Sequence, residues 1–158
     1  MTEHEYGIEL TWTGNLGSGT SHPRDYARDH SITAEGMELP ILGSAAPIYR
    51  GDPSKWNPEL LLVAAVSECH MLWYLHFCAV NGIVVESYID KATGTLDAVH
   101  EPYKPRFVAL TLHPEVVVAD SSMMQKAQDL HEEANAYCFV ANSLNFPVLH
   151  EPIVAIAG

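Results

Sequence analysis

The order of the predicted elements places this 158-residue chain in the α+β class. Two segments, residues 58–80 and 123–137, carry helix signals, and runs rich in β-branched residues lie before, between and after them. The order is strands, a helix, strands, a helix and a closing strand, which is an α+β order. The length predicts one domain over residues 1–158, with a core of its own.

The first third of the chain predicts two strands and a long loop. Residues 6–12 and 26–33 are extended segments, and glycines between them supply a turn. Prolines and glycines recur between Pro40 and Pro53, which predicts a loop-rich stretch up to Trp56.

The first long helix has clear start and stop signals. Asn57 is a good N-cap, Pro58 suits the first helical position, and Glu59 favours the positive end of the helix dipole. Asn81 and Gly82 predict the end near Val80. Apolar residues occupy nearly all faces of this helix, which predicts that protein surrounds it. A membrane span is disfavoured, because Glu68, His70 and His76 near its middle are costly in lipid.

The remaining elements follow from alternation and turn residues. Residues 83–98 and 107–118 predict two strands, and Asp120 caps a helix that covers residues 123–137. Residues 138–144 continue as a further helical turn. Residues 146–148 and 153–157 predict a closing strand that Pro152 interrupts.

Composition excludes some classes of partner. The net charge is −12, from 20 acidic and 8 basic residues, and no cluster of Lys and Arg offers a surface for phosphate. We therefore expect neither a nucleic acid nor an anionic membrane as partner. The polar N-terminus resembles no signal peptide and the cysteines number three, so we expect a cytoplasmic protein.

Two cysteines carry the candidate chemistry. Cys69 and Cys138 each lie within a helical stretch, and two thiols on packed helices can act as attacker and resolver in peroxide reduction. The helix face of Cys69 is apolar apart from His76, so a thiolate there needs a cation, for which arginine is best suited. A small buried core residue is the ordinary role of a free cysteine, and the residues alone leave that alternative open. Cys78 points about 180° away from Cys69 and is expected only to pack.

Other chemistries fit less well. His76 lies seven residues after Cys69, and His131 lies seven before Cys138. That spacing is roughly 10.5 Å along a helix, too far for two ligands of one metal ion. A Cys-dependent hydrolase would need a base near Cys69, and the adjacent His70 points about 100° away.

Two motifs resemble the OsmC/Ohr family of organic-hydroperoxide reductases. One is Asn57-Pro58-Glu59-Leu60 followed by Cys69, and the other is Cys138 followed by Val140, Asn142 and Leu144. The resemblance implies an OsmC-like fold with antiparallel sheets packed on two central helices, in an intertwined homodimer. It also implies that Cys69 attacks the peroxide, Cys138 resolves it, Arg50 stabilises the thiolate and Glu59 holds Arg50. Arg28 is the reserve for Arg50.

The chain departs from the family pattern beside both cysteines. Glu68 and His70 flank the first, and Phe139 and Ala141 stand where the family has proline and serine after the second. These departures concern the range of peroxides and the reductant more than the two-thiol scheme.

The resulting prediction is a peroxidase that reduces organic hydroperoxides to alcohols and is regenerated by an external dithiol, with no bound cofactor or metal. Glu59 and Cys69 are ten residues apart on one helix, roughly 15 Å, so Glu59 is expected to reach a thiolate only across a dimer interface. The alternatives are a non-catalytic protein of the same fold that binds a hydrophobic ligand and, less favoured, the hydrolase.

Overall fold

The computed structural model describes residues 3–98 and 104–157, and this part of the chain contains nine strands and three α-helices. The residues form two compact units, Met1–Leu61 and Leu62–Gly158, which we call the N-terminal unit and the C-terminal unit. We describe them in turn; that the whole chain is one domain stays a prediction.

The N-terminal unit contains a three-stranded antiparallel sheet. Its strands are β1 (Glu9–Trp12), β2 (His30–Thr33) and β3 (Ile41–Gly43), in that order. β1 and β2 are shorter than predicted. β3 lies in the stretch expected to be loop, because three residues are too few to show an alternating pattern. A 3-10 turn follows at Pro47–Tyr49.

Helix α1 (Pro58–Val80) begins and ends where the sequence predicts. The Asn57 side-chain oxygen accepts a hydrogen bond from the Leu60 amide at 2.9 Å, and Gly82 adopts a left-handed φ of 71° just after the helix. By length and composition alone α1 would suffice to cross a bilayer, a property it shares with core helices of water-soluble proteins.

Only one side of α1 is covered within the chain. Six of its residues are buried: Val66, Cys69, His70, Tyr74, Phe77 and Cys78. In contrast, Leu72 is 57% exposed and Val80 is 65% exposed. Among the described residues, no other part of the chain covers the apolar outer side of α1, so the prediction that protein surrounds this helix is wrong for that part of a single chain.

The C-terminal unit is built on a long antiparallel hairpin that bends in the middle. Each of the two predicted strands is divided in two by the bend, giving β4 (Val85–Asp90), β5 (Thr93–Asp97), β6 (Arg106–Leu112) and β7 (Pro114–Val118). β4 pairs with β7, and β5 pairs with β6. The connection between β5 and β6 falls partly outside the described residues.

Two final strands complete two mixed sheets. β8 (Val148–His150) pairs in parallel with β6, and β9 (Ile153–Ile156) pairs in parallel with β7. The prediction of antiparallel sheets therefore holds for the N-terminal sheet and for the hairpin, and is wrong for the pairing of β8 and β9. The reason is the crossover: α2 (Met124–Tyr137) and α3 (Phe139–Asn142) carry the chain back before β8 begins, which makes parallel pairing possible.

Two apolar clusters fill the C-terminal unit. The larger joins the second half of α1 to α2 and to β7, through residues such as Phe77, Leu130 and Val116. The smaller joins Val66 of α1 to Leu110 and Leu112 of β6.

The Asp90 carboxylate ties α1 to the bend of the hairpin. It accepts hydrogen bonds from the Ser67 hydroxyl at 2.5 Å and from the His113 amide at 2.8 Å. The position of α1, and therefore of Cys69 two residues after Ser67, is fixed by polar as well as apolar contacts.

Candidate functional site

The structure brings Cys69 and Cys138 together. Cys69 lies on α1 and Cys138 lies between α2 and α3, and after burial the neighbouring Cys69 side chain also helps to raise the pKa of the Cys138 thiol. Neither cysteine takes part in a disulfide. A disulfide between them would need an S–S bond of about 2.05 Å.

Both thiols are shielded from water. Cys69 is 7% exposed and Cys138 is fully buried. The Cys138 sulfur accepts a hydrogen bond from the Ala141 amide at 3.5 Å, and its thiol points at the Val66 carbonyl of α1 at 4.0 Å. Burial raises the pKa of Cys138 to about 11 despite the Ala141 amide, so Cys138 is a thiol at neutral pH.

Cys78 lies apart from this pair, as its helical position predicts. It packs in the larger apolar cluster with Tyr74. Burial raises the pKa of the Cys78 thiol, which keeps it protonated.

A small cavity opens beside the segments that carry the two thiols. It has a volume of about 360 Å³ and is lined by Leu72, Trp73 and His76 of α1 and by Phe139. Three of these residues are on the predicted face of Cys69, and the fourth directly follows Cys138. We call this the outer cavity.

Arg50, the first choice for the cation, is exposed and stands at the end of the 3-10 turn. Its φ of 66° is left-handed, which is uncommon for a residue with a side chain. Its predicted role beside the thiolate stays a prediction.

Arg28, the reserve, shares a cavity with Glu59. This cavity, of about 410 Å³, lies in the N-terminal unit, and its walls include Trp12, Tyr26 and Tyr49. We call it the aromatic cavity. The Arg28 guanidinium donates to the Tyr26 and Pro23 carbonyls at 2.7 and 2.8 Å, and it sits 4.3 Å from the centre of the Tyr26 ring. Arg50 is not among the residues that line this cavity.

The sequence contains a signal that favours Arg28. Tyr26, Arg28 and His30 are spaced two apart in a segment predicted to be extended, so they share one face, and the structure places all three on one cavity wall.

Glu59 presents a buried acceptor to the same cavity. Its Oε2 atom is shielded from water and has no hydrogen-bond partner among the described residues. A buried acceptor without a partner costs free energy.

A buried histidine pair is a feature that the sequence reasoning missed. His70 of α1 and His131 of α2 are fully buried, and His70 Nε2 lies 3.0 Å from His131 Nδ1. The His131 ring stacks on Tyr74 at 3.9 Å between centres. Burial lowers the pKa of His70 to about 4 and that of His131 to about 3, so both are neutral at pH 7. The sequence reasoning missed this pair because it compared residues by their spacing within one helix, and His70 and His131 lie on two different helices.

In the part of the chain that the structure describes, no three or more His, Cys, Asp or Glu side chains are grouped to hold a metal ion.

Comparisons with known proteins bear on the family. The family model described as OsmC-like protein matches residues 51–151, a span that includes Glu59, Cys69 and Cys138 and neither Arg28 nor Arg50. Comparison with curated proteins finds no match.

Solved structures match over almost the whole chain. An OsmC-like protein of unknown function from Vibrio cholerae is 32% identical, with a TM-score of 0.84, covering 96% of this chain and 100% of the other. An organic hydroperoxide resistance protein from Elizabethkingia anophelis is 18% identical, with a TM-score of 0.67, covering 99% and 100% of the two chains. A second organic hydroperoxide resistance protein, from Legionella pneumophila, is 18% identical, with a TM-score of 0.63 over 97% and 99%. The last two show the shared fold. The family match across most of the chain and the Vibrio likeness together establish that this chain belongs to the OsmC-like protein family.

Proposed function

We propose that this protein is a thiol-dependent peroxidase that reduces organic hydroperoxides to alcohols. The observation that carries the proposal is that the Cys138 thiol lies against the turn of α1 that leads to Cys69, 4.0 Å from the Val66 carbonyl, with Cys69 as its neighbour. The two residues come from different elements and occupy the two cysteine positions of the family motifs. A structural cysteine needs no second thiol at its side.

The reaction proceeds in two steps at this pair. The Cys69 thiolate attacks the distal oxygen of the hydroperoxide, the O–O bond breaks, and Cys69 becomes a sulfenic acid while the alkoxide leaves and takes up a proton to give the alcohol. Cys138 then attacks the Cys69 sulfur, and its proton leaves with the sulfenic hydroxyl as water. An external dithiol reduces the resulting disulfide and is itself oxidised to a disulfide. This scheme requires no bound cofactor or metal.

The cation for the thiolate is proposed to come from a second copy of the chain. α1 is unbroken between Glu59 and Cys69, and ten residues of helix span about 15 Å, so Glu59 cannot contact the Cys69 of its own helix. An intertwined homodimer would bring the Arg28 and Glu59 of one copy to the Cys69 of the other. The exposed apolar residues of β1 and of α1, among them Leu10 and Leu72, support a second copy as partner.

Organic rather than inorganic peroxides are proposed because the surroundings are apolar. The outer cavity offers Leu72, Trp73 and Phe139 to an alkyl or aryl group. Burial contributes about 0.8 kcal/mol per methylene, and hydrogen peroxide gains none of this. A cytoplasmic location is proposed as well, since free thiols persist in a reducing compartment.

The roles of the two thiols are tested by single replacements. We expect Cys69→Ser to abolish reaction with tert-butyl hydroperoxide, because no other thiol is placed to attack. We expect Cys138→Ser to react once at nearly the wild-type rate and then stop as a sulfenic acid, which a dimedone adduct detected by mass spectrometry would reveal.

Cys78→Ala is the matched control, because Cys78 is also a buried thiol on α1 but lies apart from the pair. It should turn over like the wild type. A Cys69→Ser protein that still consumes peroxide would refute the assignment. A wild-type protein inert towards every organic hydroperoxide and dithiol tested would favour the hydrophobic-ligand-binding alternative instead.

A further inference from the structure

The Lys55 ammonium joins two acidic side chains in the N-terminal unit. It donates to the Asp29 carboxylate and lies 3.4 Å from the Asp52 carboxylate. The Lys55 and Asp29 side chains are only 25% and 29% exposed, so salt screens their attraction less than that of a fully exposed pair. The hydrogen bond between them lowers the pKa of Asp29 and raises that of Lys55, which keeps both charged at neutral pH. The two-thiol scheme uses none of these three groups.

This ion pair connects the two segments that carry Arg28 and Glu59. Asp29 directly follows Arg28 in the chain, and Lys55 precedes Glu59 by four residues. β3 lies between the two segments and pairs with both of them through Gly43. The Lys55 side chain therefore reaches across β3 to bind Asp29. No other lysine occurs in the sequence of this unit.

Lys55 can act on the aromatic cavity without lining it. Arg28 and Glu59 are among the residues of the cavity wall, and Lys55 and Asp29 are not. Neighbouring residues of an extended segment point to opposite faces, so Arg28 faces the cavity while Asp29 faces Lys55. The other contacts of the Arg28 guanidinium all come from residues 23–26. They fix it relative to its own segment, and the ion pair fixes that segment relative to the one that carries Glu59.

We propose that Lys55 is a positioning residue, whose ion pair with Asp29 sets the place of the Arg28 guanidinium relative to Glu59. The inference rests on the proposed function, in which Arg28 serves the Cys69 thiolate. A catalytic group displaced by about 1 Å can cost a reaction up to about a hundredfold in rate. A side chain that touches no reactant can therefore still control the rate of oxidation.

The test compares the rate of the first oxidation of Cys69 by tert-butyl hydroperoxide at pH 7, measured by stopped flow. We expect Lys55→Met to slow this step about fivefold, because the Arg28 segment loses its link. Lys55→Arg should stay within about twofold of the wild type, because it restores the charge and the N–H donors. Lys91→Met is the matched control: Lys91 forms an ion pair with Glu115 at 2.6 Å in the C-terminal unit, and its loss should leave the rate unchanged.

A double variant separates positioning from a general effect on the fold. If Lys55 acts through Arg28, the Arg28→Ala/Lys55→Met protein should be as slow as Arg28→Ala alone, within about twofold. If Lys55 only stabilises the fold, the two losses are independent and should multiply. Asp29→Asn breaks the same ion pair with little change in shape and should repeat the loss seen in Lys55→Met. It takes the place of Lys55→Met if that variant does not fold.

Alkylation of Cys69 by iodoacetamide at pH 7 is measured in parallel, by mass spectrometry of the Cys69 peptide. This reaction also needs the thiolate but involves no peroxide, and we expect the same ranking of variants. A wild type inert to hydroperoxides that shows this ranking refutes the peroxidase and leaves the positioning role. Wild-type rates in Lys55→Met and Asp29→Asn, multiplied losses in the double variant, or an Arg28→Ala protein with wild-type rates in both reactions would overturn the inference. Turnover by the wild type would then leave the peroxidase proposal standing alone.

Discussion

The Arg28 side chain is held by contacts within its own N-terminal unit. Two backbone carbonyls and the Tyr26 ring fix its guanidinium, whereas among the described residues no hydrogen bond or ion pair holds the exposed Arg50 side chain. A fixed charge is worth more to a transition state than a mobile one, because less ordering is needed at the moment of reaction. The geometry therefore favours Arg28 over Arg50 as the cation for the thiolate.

We expect Arg28→Ala to slow oxidation of Cys69 by an organic hydroperoxide at least tenfold at pH 7, and Arg50→Ala to slow it less than threefold. Stopped-flow measurement of the first oxidation provides the rates. Arg28→Lys should recover part of the loss, because it restores the charge but not the planar fork. The opposite ranking of the two alanine variants would return the role to Arg50.

The buried histidine pair predicts a stability that depends on pH. Burial lowers the pKa of His70 to about 4 and that of His131 to about 3, whereas a histidine in the unfolded chain titrates near 6.5. Below pH 6.5 the unfolded chain therefore binds protons that the folded chain does not. Stability is full above that pH and is lost as the pH falls towards 4 and then 3.

We expect the free energy of unfolding to fall by a few kcal/mol between pH 7 and pH 5, measured by urea denaturation at fixed protein concentration. His76→Gln is the control, because His76 is exposed, and it should keep the whole dependence. A His70→Phe/His131→Phe protein should show a flatter profile. A stability that is constant over this range in the wild type would contradict the prediction.

The candidate site was partly predictable at the residue scale. Cys69, Cys138 and Glu59 occupy motif positions with fixed spacing, which a sequence displays directly. The histidine pair joins two helices that are far apart in sequence, and no local pattern reports such a contact. Arg28 was partly predictable. Its alternation with Tyr26 and His30 is visible in the sequence, but that alternation does not by itself indicate a cavity.

At the scale of elements, local signals account for what could be predicted. The start of α1 depends on one side chain. The Asn57 side-chain oxygen accepts a hydrogen bond from the Leu60 amide, which has no partner within the helix. We expect Asn57→Ala to destabilise the protein by about 1 kcal/mol in chemical denaturation. Asn57→Asp should retain nearly all the stability, because aspartate offers the same acceptor. Equal losses in both variants would mean that Asn57 acts through its packing and not as a cap.

The strands show where local signals fail. Residues 83–98 and 107–118 are continuous runs of strand-forming residues, and the bend that divides them depends on Asp90 binding Ser67 and His113 from other elements. The parallel pairing of β8 and β9 is likewise set by partners about forty residues away in sequence. The elements were therefore mostly predicted, whereas their divisions and directions were not.

At the scale of the whole molecule, the exposed apolar side chains call for a partner surface. All four residues of β1 are exposed, including Leu10 at 57%, and α1 leaves Leu72 and Val80 uncovered. Such exposed apolar residues mark interaction surfaces, and the homodimer proposed above would cover them.

We expect a homodimer of about twice 17.4 kDa in sedimentation experiments at micromolar concentration. Leu10→Asp should shift the protein towards the monomer, because a charge would be buried in the interface. Thr11→Asp is the control, since Thr11 points to the opposite face of the same strand. A wild-type monomer at high concentration would refute the dimer and, with it, the supply of Arg28 from a second chain.

The bend that divides the hairpin also fixes the length of the turn between β8 and β9. β8 and β9 run beside β6 and β7 with the same sequence offset on both sides of the bend: Leu110 lies opposite Val148, and Val116 lies opposite Val154. Since neighbouring strand residues point to opposite faces, one residue inserted between Glu151 and Pro152 would leave the pairing of β8 with β6 intact and turn the side chains of β9 to the opposite faces of its sheet. Surface turns usually tolerate changes in length. The length of this turn, in contrast, sets the register of β9 relative to that of β8.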